Sequence, residues 1–148
     1  MARYPSGVTI VTTRDHSGEW WGFTATSFCS ASATPPLVLV CLAKTAECHP
    51  AFLTAESWTI HVLHAEQEEL ARRFGTRGAD KFAGGHFVPN ADGSPALSDS
   101  CTTIDCDASV RYDAGDHTIL VGEVTDARMN ESLPAVYFQR RFRSLQIP

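Results

Sequence analysis

Apolar residues fall along this chain in runs of strand length, and helical spacing is rare. Val8 to Thr13 is rich in β-branched residues and reads as a strand. Asp15-His16-Ser17-Gly18 has turn chemistry, so Glu19 to Thr26 returns as its hairpin partner. Leu37 to Leu42 is a continuous apolar run, the pattern of a strand buried on both faces. Pro35-Pro36 stands at its mouth, because proline cannot donate to a sheet ladder. Trp58 to Leu63 alternates in part and reads as a fourth strand. Thr103 to Tyr112 and Thr118 to Arg128 read as two long strands joined at Ala114-Gly115-Asp116, and Ala135 to Phe138 as a short last one.

Helical signals occur in two places. Thr45 is the expected N-cap of a short helix running to about Ala55. Ala65 to Phe74 is the clearer helix. Leu70 and Phe74 give an apolar stripe, Glu68 and Glu69 precede Arg72 and Arg73 at helical spacings, and Gly75 stops it. Gly75 to Ala96 is loop-rich, with several glycines and two prolines, and is the candidate for a mobile flap. Short, mostly antiparallel strands with two or three short helices predict a mainly β fold, a small closed barrel. Residues 1–148 form one domain, with no internal repeat, low-complexity tract or linker.

Composition narrows the classes. A chain of 148 residues is long enough for a sizeable core. The net charge of −5 and the lack of a basic run argue against a nucleic-acid partner. No apolar stretch approaches the roughly 20 residues of a membrane span, and no leader-like segment precedes Val8. Five cysteines, without framework spacing, read as reduced thiols in a cytoplasm.

Candidate chemistry gathers between Thr24 and Ser32. Thr24, Thr26, Ser27, Ser30 and Ser32 put five hydroxyls and many backbone amides in small-residue surroundings, in what reads as a bend. They suit a flat, polar-edged ligand or a phosphate, but on their own they suit turn capping and strand packing better. His61 and His64, three apart on a strand, point to opposite faces and make no metal pair. Cys101 and Cys106 lack zinc-site spacing, so no metal is expected. Cys29 and Cys41 read as core residues.

Several motifs, in order, resemble the flavin reductase-like FMN-binding split-barrel family. They are Tyr4-Pro5-Ser6-Gly7-Val8-Thr9-Ile10-Val11-Thr12-Thr13, then Gly22-Phe23-Thr24-Ala25-Thr26-Ser27-Phe28 with Ser32-Ala33-Thr34-Pro35-Pro36. Ala79-Asp80-Lys81-Phe82-Ala83-Gly84 and Gly115-Asp116-His117-Thr118 continue the set, and the likeness reaches about Leu145. The resemblance implies a Greek-key-like split β-barrel, a homodimer, and flavin held between subunits. It also implies an NAD(P)H-dependent reductase of FMN or FAD that moves hydride from nicotinamide to flavin N5 and supplies a partner monooxygenase.

Carried onto this sequence, the flavin ring is expected against the main chain of Thr24, Ala25, Thr26, Ser27, Ser30 and Ser32, and of Cys41, Leu42 and Ala43. The flavin phosphate is expected near Lys44, Thr45 and the amides around Cys48 and His49, with Phe82 in the flavin wall; Arg72 or Arg73 is either a further cation there or paired to Glu68 and Glu69 on the helix face. His117 is the catalytic candidate, turned toward the nicotinamide. Two residues depart from the family pattern. Ala46-Glu47-Cys48 stands where serines often hold the phosphate, so Glu47 is expected to point away. His61 stands where asparagine is usual; it is expected either on the outer wall, near the flavin, or as a packed histidine with a backbone partner. Family members commonly carry a helix ahead of Tyr4, where this sequence has Met1-Ala2-Arg3. Beside the reductase stand two other readings: a flavin-retaining oxidoreductase acting on an organic substrate, and a flavin-binding module without turnover. NADH and NADPH are not separated by any ribose-reading spacing.

Overall fold

The computed structural model describes residues 1–148. Strands β1 (Ser6–Gly7) and β2 (Thr9–Arg14) open the chain, and β3 (Trp20–Ala25) returns along β2. β4 (Cys29–Ala33) and β5 (Pro36–Ala43) form a second hairpin. Helix α1 (His49–Thr54), strand β6 (Ser57–Val62), a 3-10 turn over Ala65–Gln67 and helix α2 (Glu68–Phe74) follow. A small hairpin, β7 (Phe87–Pro89) and β8 (Pro95–Leu97), precedes the long strands β9 (Thr102–Ala114) and β10 (His117–Met129). β11 (Ala135–Phe138) and β12 (Arg141–Ser144) end the chain. No helix is long and apolar enough to cross a membrane.

Seven strands form one antiparallel sheet in the order β3-β2-β6-β9-β10-β5-β4. Phe23 and Ala25 from one end of the sheet meet Val38, Val40 and Leu42 from near the other in a single core, so the sheet curls on itself. Its end strands, β3 and β4, are not hydrogen-bonded to each other, and the barrel stays split. Phe52 of α1 plugs the interior, edge-on to Phe23 at 5.0 Å. Arg111 of β9 closes that helix by donating to the Phe52 carbonyl at 2.9 Å and to the Ala55 carbonyl. A second core, with Ile10, Leu63, Leu70, Phe74, Phe87 and Leu97, fills the space between the sheet, α2 and the β7–β8 hairpin. Gly22 is what lets α2 approach: a Cβ there would lie 2.7 Å from the Phe74 ring.

Four expectations change. The predicted bend from Thr26 to Ser32 contains a strand, β4, with a bulge between Ser30 and Ser32. Its Cys-Ser-Ala-Ser-Ala sequence carries no apolar alternation, because most of it is exposed. β5 is buried on one face only: Val38, Val40 and Leu42 point inward, while Leu37, Leu39, Cys41 and Ala43 stay half-exposed. Thr45 is not the N-cap of α1. The residues before the helix are spent on two turns, closed by Ala46 N–H to Ala43 O and His49 N–H to Ala46 O, both at 3.0 Å. Cys48 stands at the N-cap without a side-chain bond. The expected flap after Gly75 contains the β7–β8 hairpin, tied down by Arg14 donating to Asp92 O at 2.7 Å and Trp20 Nε1 to Gly93 O at 3.0 Å.

Candidate functional site

The outer side of β5 organises the site. Antiparallel pairing sets Cys41 opposite Ile119 and Ala43 opposite His117. On the other side of β5, the Ser27 hydroxyl accepts the Cys41 N–H at 2.9 Å. One wall thus runs from the Thr26–Phe28 link, past Cys41 and Ala43, to His117 at the start of β10. Thr26 and Ser27 also border a groove of about 900 Å³ with Tyr4, Cys29, Tyr137 and Arg140.

His117 keeps 44% of its side chain exposed. Its Nδ1 lies 2.6 Å from Asp116 Oδ1, which orients the ring and leaves Nε2 toward solvent. That bond holds the Asp116 carboxyl below its ordinary pKa, with the charge of His117 second. Lys44 bridges β5 to the same hairpin, pairing with Asp113 through its side chain and donating its N–H to Asp116 O at 2.9 Å. His49 Nε2 meets Thr118 Oγ1 at 2.9 Å, so that ring braces α1 against β10.

Beyond Ala43 the chain turns toward the loop after α2. Thr45, Glu47 and Cys48 face Gly75, Arg77 and Lys81 across a cavity of about 210 Å³. Phe82 lines an adjoining cavity of about 230 Å³, and its ring packs edge-on against Trp20 at 5.4 Å and Phe74 at 5.1 Å. Arg77 was not singled out in the sequence, and Lys81 only as a member of the Ala79–Gly84 motif. The available signal was that they are the only arginine and lysine between Gly75 and Ala96.

Several expected residues lie elsewhere or are already committed. His61 is fully buried, and its side chain reaches no ligand surface. It does face away from the barrel core, as alternation requires, but the β7–β8 hairpin covers it. One ring nitrogen, Nδ1, meets Ile10 O at 3.0 Å; the other, Nε2, accepts the Leu97 N–H at 3.1 Å. Burial pushes its pKa down to about 4, against the opposing pull of the Ile10 carbonyl. Thr24 donates its hydroxyl to Ala71 O at 2.5 Å and so fastens β3 to α2. Ala25 and Leu42 point into the barrel core and offer a ligand only main chain. Ser30 is exposed and Ser32 half-buried on the edge strand, apart from the Ser27–Cys41 contact. Cys48 is buried, with its thiol pushed up to about 11 by desolvation, so that thiol is a packing group. Cys29, expected in the core, is exposed in the groove. Arg72 and Arg73 pair with Glu68 and Glu69 on the helix face. Glu47 turns to Arg77 and Gly78.

The chemistry available is therefore that of a binding wall. It has main-chain groups, hydroxyls, one free imidazole nitrogen and cations beyond the end of β5, and it lacks a nucleophile–base array.

Comparison with known proteins gives the family and its fold. Residues 1–146 match the model of the flavin reductase like domain. The chain is 47% identical over 146 residues to the actinorhodin polyketide dimerase of Streptomyces coelicolor, covering 98% of this chain and 82% of that protein. It is 35% identical over 147 residues to the reductase subunit HsaB of a flavin-dependent monooxygenase from Rhodococcus jostii, covering 99% and 75%. The fold superposes with a TM-score of 0.91 on the Streptomyces globisporus NADH:FAD oxidoreductase SgcE6 in complex with NAD and FAD fragments, at 34% identity, covering 98% and 88%. These matches identify the chain as a member of the flavin reductase like domain family.

Proposed function

We propose that this chain is an NAD(P)H-dependent flavin reductase that transfers hydride from nicotinamide to flavin N5 and passes the reduced flavin to a partner monooxygenase. The observation that carries the reading is the β5–β10 register, which sets His117 beside Ala43 on the strand whose Cys41 N–H is met by Ser27. Flavin and nicotinamide bring the redox chemistry with them. The protein's task is to stack two rings, fix their edges and keep water from between them. FMN or FAD fits the wall: the Thr26–Phe28 link and the outer side of β5 supply main-chain groups and the Ser27 hydroxyl for a flat ring. Lys81 lies beyond the end of β5, where a phosphate needs positive charge. His117, oriented by Asp116, offers Nε2 to the nicotinamide side.

The reading includes a symmetric homodimer. Leu37, Leu39 and Cys41 are half-exposed on the outer face, and Val110 and Tyr112 are exposed on β9. A second copy would cover them, and light scattering with saturating FMN should give twice the monomer mass. Five free thiols support a reducing compartment, the cytoplasm.

The deciding experiment mixes purified protein with FMN and NADH, or NADPH, and follows nicotinamide oxidation. Flavin is first held substoichiometric and then raised to excess. A rate that climbs and saturates with free flavin supports the reductase. A second reading, a flavin-retaining enzyme acting on an organic substrate, is favoured by the groove of about 900 Å³ beside Ser27. Oxidation that stops after one equivalent of bound flavin would select it. No oxidation of either nicotinamide would overturn the proposal.

A further inference from the structure

One acidic side chain joins the β5–α1 connection to the loop after α2. Glu47 Oε1 accepts the Gly78 N–H at 2.9 Å and lies 3.7 Å from Arg77 Nη1. The Arg77 guanidinium also donates to the Thr45 carbonyl. Gly78 has a φ of +74°, a left-handed conformation that glycine adopts without strain and that aims this amide at Glu47. The two segments enclose the cavity bordered by Gly22, Ala43, Thr45, Cys48, Gly75 and Lys81. Glu19 and Asp80 border the adjoining cavity, which shares Gly22, Glu47, Cys48 and Lys81. Lys81 Nζ donates to the Thr76 carbonyl at 3.2 Å and makes no ion pair.

Two cations therefore border the cavity, and Glu47 occupies one of them. We propose that Glu47 is the affinity-setting residue of the site: it withholds Arg77 from the phosphate end of FMN and adds a negative charge to the wall. The inference rests on the flavin reductase reading above. A phosphate entering here meets Lys81 as the free cation and a carboxylate as neighbour. Like charges at such range repel even in partly exposed surroundings. FMN is then held loosely enough to leave, which suits a protein that hands its flavin on. The same carboxylate orders the loop through Gly78, so it supports the cavity's shape while weakening its hold on an anion.

The test compares FMN with riboflavin, which has the same ring and no phosphate. Glu47→Gln keeps an oxygen to accept the Gly78 N–H and removes the charge. FMN should bind Glu47→Gln about fivefold more tightly than wild type, an effect on the scale of one partly exposed charge pair. Riboflavin affinity should stay the same, and the gain for FMN should shrink at high salt. Arg77→Gln, which leaves Glu47 unpaired, should weaken FMN by a similar factor and again spare riboflavin. Equal shifts for both flavins, or none for FMN, in either variant would overturn the role of Glu47 while wild-type binding leaves the flavin reading standing. Wild-type protein that binds neither flavin would overturn the role and the reading together.

Discussion

The floor beneath the β7–β8 hairpin and the open end of β5 and β10 each carry a histidine, in opposite surroundings. His61 is fully buried, and both ring nitrogens are used, one at the Ile10 carbonyl and one at the Leu97 amide. Phe87 stands edge-on to its ring at 5.6 Å. His117 is half-exposed, its one partner is the adjacent Asp116, and a nitrogen is left over. The family resemblance marked both as flavin-side residues. A side chain can act on a ligand only if it has unused hydrogen-bonding capacity and room beside it. His61 has neither, so its departure from the family's asparagine is a matter of packing.

Removing the His61 ring is the strongest way to break this contrast. His61→Ala strands a buried carbonyl and a buried amide and leaves a ring-sized void. We expect a loss of about 4 kcal/mol in folding stability, read from denaturant midpoints. A loss under about 1 kcal/mol would mean that the hairpin does not seal the site.

The next effect is acid sensitivity. The folded pKa of His61, about 4, lies below its ordinary value of 6.5, so the unfolded chain takes up the proton first. Stability from this residue is complete above about pH 6.5 and is lost as pH falls toward 4. Roughly 3 kcal/mol is at stake over that window. Thermal melts across it should show the loss in wild type, and His61→Asn should flatten it. FMN affinity at pH values where both proteins stay folded should not separate them.

The smallest effect sharpens the other side. His117→Ala should raise the nicotinamide KM or lower kcat by about tenfold, the scale of one hydrogen bond. FMN affinity should be unchanged, and stability should move by less than about 0.5 kcal/mol at this half-exposed position. Lost FMN binding with intact nicotinamide kinetics would assign the ring to the wrong ligand.

What the sequence made legible follows from what is local. β2, β3, β5, β6, β9 and β10 announce themselves through β-branched runs and turn residues. Helix α2 shows in the Leu70–Phe74 stripe and the Gly75 stop. β4 was hidden because its small polar residues resemble a bend, and β7–β8 because each three-residue strand carries a proline, Pro89 and Pro95, at the turn end. In the site, Thr26, Ser27 and His117 were marked by motifs and lie along one wall. The cover on His61 was not legible, since Phe87 and Leu97 come from far along the chain. The partners of Glu47 were hidden for the same reason: it was expected to point away from a phosphate, but nothing local named Arg77 and Gly78.

The two edges of the seven-stranded sheet also bear on whether the protein stays in solution. β3 is covered, since Thr24 bonds α2 and Gly22 admits Phe74. β4 is mostly bare, and an unpaired strand edge is a template on which another chain can add. This one is a poor template. It is five residues long, its bulge between Ser30 and Ser32 interrupts the ladder, and its serines and alanines give an incoming strand little apolar surface to bury. The hydroxyl-rich stretch that resembles a ligand site in the sequence thus also makes the open edge of the barrel a poor place for another chain to add.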